Sequence, residues 1–457
     1  MTKPLIAIDG YNLALEQGTG VATYARGLSH RLKALGAEVG VLYGQRASSG
    51  PDELLREVTF FDPRSGVAWW RRPFDDLSRM IRLRAGVDAT AVPVTGKVET
   101  AALEARLPAF DRIWNVPGLY RSAVLGFGAS HRFGRVRLPS QAAMMHWTYP
   151  VPLTAEGPDG KPVPNIYTIH DLVPLRLPYA TLDKKRRYLG TVRAIGERAD
   201  HIVTVSEASK ADIVNLLGVP REKVTNTGQA VGIPPRIAAK PESMVAAELE
   251  GGFGLRWQGY FLFFGAIEPK KNVGRLIEAY IASGSPHPLV ICGKHAWNSH
   301  QELGLLYEDD SREFIPRGPA EGVQRLKRRL RDRVILIDYV PFRLLVGLIR
   351  GARAVMFPSL YEGFGLPVLE AMQLGTPVMT SNQASLPEVA GDAALLVDPY
   401  DTGAMAEAIR TLDADADLRA ELAARGPRRA AMFSAEAYDA KLRELYARLG
   451  VTLPAAA

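Results

Sequence analysis

A short apolar run, Ala354 to Phe357, is followed by a turn carrying Gly363 and Gly365, then by Pro367 and the string VLEAMQLG. The run is brief and β-prone and reads as a buried strand; proline ahead of that string reads as the start of a helix, which Gly375 ends. Proline is favoured at the first helical position, where its missing N–H costs nothing. The backbone N–H groups of Phe364, Gly365 and Leu366 then point out of the helix start, and such an end attracts anions. Gly363 and Gly365 let the backbone come close to a ligand, Glu362 sits in the turn, and Glu370 lies about one helical turn inside. A nucleotide diphosphate sugar would use all of these groups. A Gly-rich connection with an exposed Glu is also ordinary in α/β proteins, so the segment alone leaves both readings open.

The string EGFGLPVLE resembles the E-x7-E signature of the retaining glycosyltransferases of family 4, and its setting, PSLYEGFGLPVLEAMQLGTPVMTS followed by LPEVAGDAALLVDP, resembles that family over about forty residues. The resemblance implies an α/β chain of GT-B fold, two Rossmann-like domains with parallel sheets facing across a cleft. It places Glu362 at the transferred sugar and Glu370 on the ribose hydroxyls.

A chain of 457 residues exceeds what one ordinary core supports and suggests two domains. With 47% hydrophobic and 23% charged residues and no long polar tract, it is expected to be globular throughout. The single cysteine, Cys292, cannot form an internal disulfide, which fits a reducing cytoplasm. The start MTKPLIAIDG lacks a secretory h-region, and no apolar run is long enough to span a bilayer. A soluble or peripheral protein is expected, at the inner face of the cytoplasmic membrane if peripheral.

A net charge of +7 favours an acidic partner without naming it. Trp69 and Trp70 beside the arginine-rich 71–84, and the four arginines around Phe127 and Phe133 in 121–137, suit a membrane surface carrying anionic lipid; a solvated face is the plainer alternative. Many family 4 enzymes act on lipid-linked acceptors, which favours docking. The run RLKRRLRDR at 325–333 reads as an exposed helix face, and no nucleic-acid partner is expected.

The first half opens with strand Leu5 to Ile8, a loop ending in Gly18, Thr19 and Gly20, a helix with apolar residues at Val21, Tyr24, Ala25, Leu28, Leu32 and Leu35, and strand 38–43. The loop lacks the G-x-G-x-x-G spacing of a dinucleotide fingerprint. The family resemblance makes it the cover of the donor diphosphate, with Gly18 and Gly20 as donor contacts. Further on, Asn165 to Ile169 reads as a strand with His170 and Asp171 at its carboxyl end, where ligands of open α/β sheets gather. That pair, followed by ADHIVTVSEASKADI, resembles the acceptor-side block of the family, which implies His170 at the reaction centre and Asp171, Ser206 and Ser209 along the same edge. HWTYPVPL at 146–153, with His146 and Trp147, reads as an aromatic wall for a sugar ring.

The Pro-, Ala- and Gly-rich stretch 234–254 reads as an interdomain linker, dividing a domain over 1–235 from one over 236–434, with a terminal helix near 435–457 returning to the first. The entry to the second domain is a strand, a turn with Lys270 and Lys271, and a helix for which Asn272 is a candidate N-cap. GAIEPKKN resembles the family's diphosphate-binding segment, which implies Lys271 as the cation on the leaving group, with Lys270 and Glu268 supporting it. The chain departs from the family at Ala266, where many members carry arginine. Strands near 288–292, 334–338, 354–357, 377–379 and 395–397 imply a parallel sheet, and by the resemblance Val340 meets the base through its backbone.

Asp413, Asp415 and Asp417 lack the glycine and terminal Glu of a calcium loop and read as surface decoration; no Cys or His pair has zinc spacing. The expectation is a metal- and cofactor-independent, retaining hexosyltransferase using a nucleotide sugar, GDP-mannose before a UDP-sugar or dTDP-rhamnose. Its acceptor would be a lipid-linked or polysaccharide glycan, as in lipopolysaccharide synthesis. A GT-B epimerase, a glycan phosphorylase and a catalytically silent nucleotide-sugar-binding protein are the alternatives.

Overall fold

The computed structural model describes residues 3–13, 20–62, 72–100, 107–230, 232–306 and 333–454, with 72–77 by backbone alone. Gly18, Trp69, Trp70 and the basic run up to residue 332 lie outside the described residues. The chain divides into two compact units: Met1–Leu172 with Lys184–Ala230 and Ala435–Ala457, and Val173–Asp183 with Val231–Ser434.

In the first unit, all five residues of strand Leu5–Asp9 are buried. Parallel sheets are covered on both faces, so their strands read as continuous apolar runs. Ile6 stands opposite Val39 on one side and Met144 on the other. Among the described residues the sheet has eight strands, in the order Val224–Asn226, His201–Thr204, Asn165–Thr168, Met144–Trp147, Leu5–Asp9, Glu38–Tyr43, Arg112–Asn115 and Thr90–Val92. Only the last of these pairs antiparallel. Helix Gly20–Ala34 buries Tyr24, Ala25, Leu28 and Leu32, the face its spacing foretold. The terminal helix Ala435–Arg448 belongs to this unit, where Asp439 pairs with Arg31 and Leu442 and Tyr446 are buried.

The second unit holds a six-stranded parallel sheet among its described residues, in the order Val334–Ile337, Leu289–Cys292, Phe261–Phe264, Ala354–Phe357, Val378–Ser381 and Leu395–Val397. Phe261, Leu262 and Phe263 are fully buried in its central strand, each contributing roughly 1.5–3 kcal/mol by leaving water. Two sequence expectations are corrected here. The supposed linker is folded, as helices Pro235–Ala238 and Glu242–Phe253, because Val245 and Leu249 give the second helix an apolar side to bury. Asp413 is not surface decoration: its side chain is 14% exposed, accepts a hydrogen bond from Ser285 Oγ at 2.5 Å, and lies 2.8 Å from Arg353 Nε and 2.9 Å from His287 Nδ1. Asp415 caps helix Ala416–Ala431 by accepting the Leu418 N–H at 2.8 Å.

Candidate active site

At the carboxyl edge of the second unit's sheet, strand Ala354–Phe357 runs into the turn 358–365 and helix Leu366–Gln373. Leu366, not Pro367, is the first helical residue; Pro367 follows it, where a missing N–H is still harmless. Gly365 adopts φ 115°, and a Cβ there would come 2.9 Å from Leu386 Cδ2, so the turn closes only with glycine. Among the described residues, no protein acceptor takes the N–H groups of Phe364, Gly365 or Leu366. Ser385, fully buried, places its hydroxyl 2.8 Å from both the Glu362 and Phe364 carbonyls and holds the turn from beneath.

The neighbouring strand Phe261–Phe264 leads to Glu268 and the short 3-10 turn Pro269–Lys271. There Lys271 Nζ lies 2.6 Å from Glu362 Oε1, both side chains nearly buried, and 4.9 Å from the centre of the Phe357 ring. Burial works to raise the pKa of Glu362, but the charges of Lys271 and Lys270 and the hydrogen bond from Lys271 outweigh it and hold the carboxyl below its usual value. An ionised Glu362 and a lysine beside it are thus ready before any ligand arrives. Lys270 Nζ sits 3.4 Å from Glu268.

Asn272 stands at the start of helix Val273–Ser283, yet its side chain does not cap it. The amide donates instead to the carbonyls of Pro358 (3.1 Å) and Pro399 (2.7 Å), binding the lysine turn to the glutamate turn. The cap is Glu302, which accepts the Gly274 N–H at 2.9 Å.

Glu370 is half-buried, and among the described residues its carboxyl has no hydrogen-bond or ionic partner. Burial alone pushes its pKa up to about 7. An unpartnered carboxyl one turn into this helix suits a ligand's hydroxyl pair. Val340 is partly exposed between strand Val334–Ile337 and helix Phe342–Gly351, at the same sheet edge.

In the first unit, His170 follows strand Asn165–Thr168. Its Nε2 lies 3.0 Å from the Thr148 carbonyl, and the Tyr24 ring meets it edge-on at 4.7 Å. A carbonyl only accepts, so Nε2 carries the proton and Nδ1 is an acceptor. Burial lowers the His170 pKa, which keeps the ring neutral. The Asp171 carbonyl accepts from Tyr188 Oη at 3.0 Å, and a Cβ on Gly20, which opens its helix, would meet open space among the described residues.

His146, Trp147 and Ser206 are corrected as acceptor contacts, since all three are fully buried. His146 is held between Tyr446 Oη (2.7 Å) and Thr168 Oγ1 (2.8 Å), and burial drives its pKa down to about 3. Trp147 donates to Asn165 Oδ1 at 2.9 Å and stacks on Tyr167. Ser206 caps helix Glu207–Leu217 by accepting from the Ser209 N–H at 3.0 Å, and Ser209 is buried with it. What remains of the aromatic wall is Tyr149, partly exposed and stacked on Tyr11 with ring centres 5.2 Å apart.

Two supporting residues escaped the sequence. Asp9, fully buried, accepts the backbone N–H groups of Thr148 and Tyr11 and so fixes the carbonyl that orients His170; burial raises its pKa to about 6. Its only sequence signal is an acid closing an apolar strand. Ser385 has no signal at all. The 121–137 segment loses its apolar membrane-facing component, because Phe127 is 3% exposed and Phe133 lies under Arg198. Among the described residues, no helix is long and apolar enough to cross a membrane.

Residues 257–429 match the family described as Glycosyl transferases group 1, and residues 83–225 match Glycosyltransferase Family 4. The chain is 39% identical, over 96% of its length and 97% of the relative's, to an MMP alpha-(1->4)-mannosyltransferase of Mycolicibacterium hassiacum. It belongs to glycosyltransferase family 4. This glycosyltransferase is also 34% identical to the Escherichia coli O-antigen chain mannosyltransferase B, over 59% of its own length and 67% of that protein. It spans only 32% of the Escherichia coli serotype-specific mannosyltransferase WbdA, a longer protein, and 60% of the Salmonella typhimurium O-antigen chain mannosyltransferase RfbU. The crystal structure of Anabaena HepE in complex with UDP and glucose superposes with a TM-score of 0.62 at 14% identity, covering 97% of this chain and all of that one, which establishes the GT-B fold.

Proposed function

We propose that this glycosyltransferase transfers mannose from GDP-mannose, with retained anomeric configuration, to a hydroxyl of a lipid-linked or polysaccharide acceptor during surface-glycan synthesis. The observation that carries the proposal is the buried Lys271–Glu362 pair at 2.6 Å beside a helix start whose first N–H groups are unused. Departure of the diphosphate is the difficult step, and a preorganised cation with aimed N–H groups stabilises the charge as it develops. Lys271 and the amides of 364–366 serve the leaving phosphates, Glu362 orients the sugar, and Glu370 takes the ribose hydroxyls. His170 offers Nδ1 to a substrate hydroxyl. The acceptor oxygen forms its bond to the anomeric carbon on the face from which the diphosphate leaves, and its proton goes to the departing phosphate oxygen.

The names of the two mannosyltransferase relatives support mannose. Lysine and helix start occupy the role a metal ion plays in other transferases, so activity should survive EDTA; loss in EDTA that Mn²⁺ restores would overturn this part. A lipid-linked acceptor would bring the protein to the inner membrane face. Calorimetric titration with GDP, UDP, dTDP and ADP tests the core of the proposal. Selective binding of GDP supports it, selective binding of another base replaces the donor, and binding of none removes the diphosphate site.

A further inference from the structure

We propose that Lys294, Asp338 and Tyr339 form the surface that reads the nucleotide base, and that their chemistry selects guanine. The inference rests on the donor site described above and extends it along the sheet edge.

Strands Phe261–Phe264, Leu289–Cys292 and Val334–Ile337 end level, since Phe264 stands opposite Cys292 and Cys292 opposite Ile337. Gly265, Gly293 and Asp338 therefore leave the sheet at one height. Strand Ala354–Phe357, which delivers Glu362, lies three strand steps from Val334–Ile337, or about 14 Å at the usual spacing. That is on the scale of a ribose and diphosphate laid across the strand ends, so a sugar at Glu362 puts the base near residue 338.

The connection bearing Lys294 is tightly fixed. A Cβ on Gly293 would lie 1.7 Å from the Gly265 carbonyl, so only glycine permits this approach. The Gly293 N–H donates to the Ile337 carbonyl and the Ile267 N–H to the Lys294 carbonyl, both at 2.9 Å. From this anchored loop, Lys294 Nζ reaches 5.3 Å from the centre of the Tyr339 ring, which is 69% exposed. Asp338 is exposed beside it, and neither Lys294 nor Asp338 has an ion-pair partner among the described residues. A rigid strand edge thus presents an aromatic ring, with a cation and a carboxylate that have no ion-pair partner among the described residues.

Guanine answers all three. It carries two adjacent acceptors, O6 and N7, for an ammonium group, and the N1–H and N2–H₂ donors for a carboxylate, on a ring system large enough to stack. Adenine sets an N6–H₂ donor where guanine has O6, placing donor against donor at the lysine. A pyrimidine offers less stacking area and a single N–H to the acid.

The test is calorimetry of the full chain with GDP, ADP and UDP, comparing wild type with Asp338→Asn, Lys294→Ala and Tyr339→Ala. Wild type should prefer GDP. Asp338→Asn and Lys294→Ala should each weaken GDP about tenfold or more, the scale of losing a paired base contact, while changing ADP and UDP by less than about threefold. Tyr339→Ala should weaken both purines more than UDP. Unchanged GDP affinity in all three variants, or an equal loss for every base, overturns the assignment. Lys271→Ala separates the two ideas. If it weakens every nucleotide while the other variants do nothing, the base-reading surface falls and the diphosphate site stands; if wild type binds no nucleotide, both fall.

Discussion

The edges of the two sheets behave differently. In the second unit, residues singled out by their motif meet: Lys271 and Glu362, 91 positions apart in the chain, lie 2.6 Å from each other. In the first, His146 and Trp147, singled out by residue type, and Ser206, singled out by the family resemblance, sink into the core. The lesson concerns where the backbone leaves the sheet. Glu362 and Lys271 sit in turns beyond a strand end, where side chains can face a ligand. His146 and Trp147 lie within strand Met144–Trp147, whose four residues are all buried because a parallel sheet is covered on both faces.

The contrast can be broken by mutation. Trp147→Ala should cost about 3–5 kcal/mol of stability, the range for emptying a large aromatic site, with little change in turnover for the protein that stays folded. Urea denaturation and assay of the folded fraction read this; a stable variant with ruined acceptor kinetics would restore Trp147 to the active site. Lys271→Ala and Glu362→Ala should instead lower the turnover of the protein that stays folded by ~10²-fold or more, as for a lost electrostatic stabiliser, in addition to the stability that the unpaired partner costs. A near-normal rate in either would remove that residue from the mechanism.

The smallest effect sharpens the picture of Glu370. Its carboxyl titrates at about 7 in the free protein, and ribose hydroxyls donating to the ionised form would lower that value. Binding should then release a proton near pH 6.5, and affinity should fall as the pH drops through 7, by up to about tenfold between pH 8 and pH 6. Calorimetry in buffers of different ionisation enthalpy counts the proton. Glu370→Gln should abolish both the release and the pH dependence, and their persistence in that variant would place the titrating group elsewhere.

Much of the second unit was legible because its signals are local. A strand, two glycines, a proline and a helix occupy adjacent positions, and the alternation of strands and helices follows from periodicity. What was hidden depends on distant chain. Nothing near Ser385 says that its hydroxyl will support the turn after Glu362, and nothing near Asp9 says that it will fasten Thr148. The stretch 234–254 misled because alanine and glycine there accompany a real helix, and Asp413 misled because its partners Ser285, His287 and Arg353 arrive from two other segments.

The chain passes between the units after Leu172, Asp183, Ala230 and Ser434. Order of synthesis is therefore not order of completion. The second unit has all its strands once Ser434 has been made, while the first still lacks the helix that gives Tyr446 to His146 and Asp439 to Arg31. At ordinary translation rates the first-made half waits on the order of tens of seconds for its last piece. Loss of the chain after Ser434 would injure the beginning of the protein more than the part beside it.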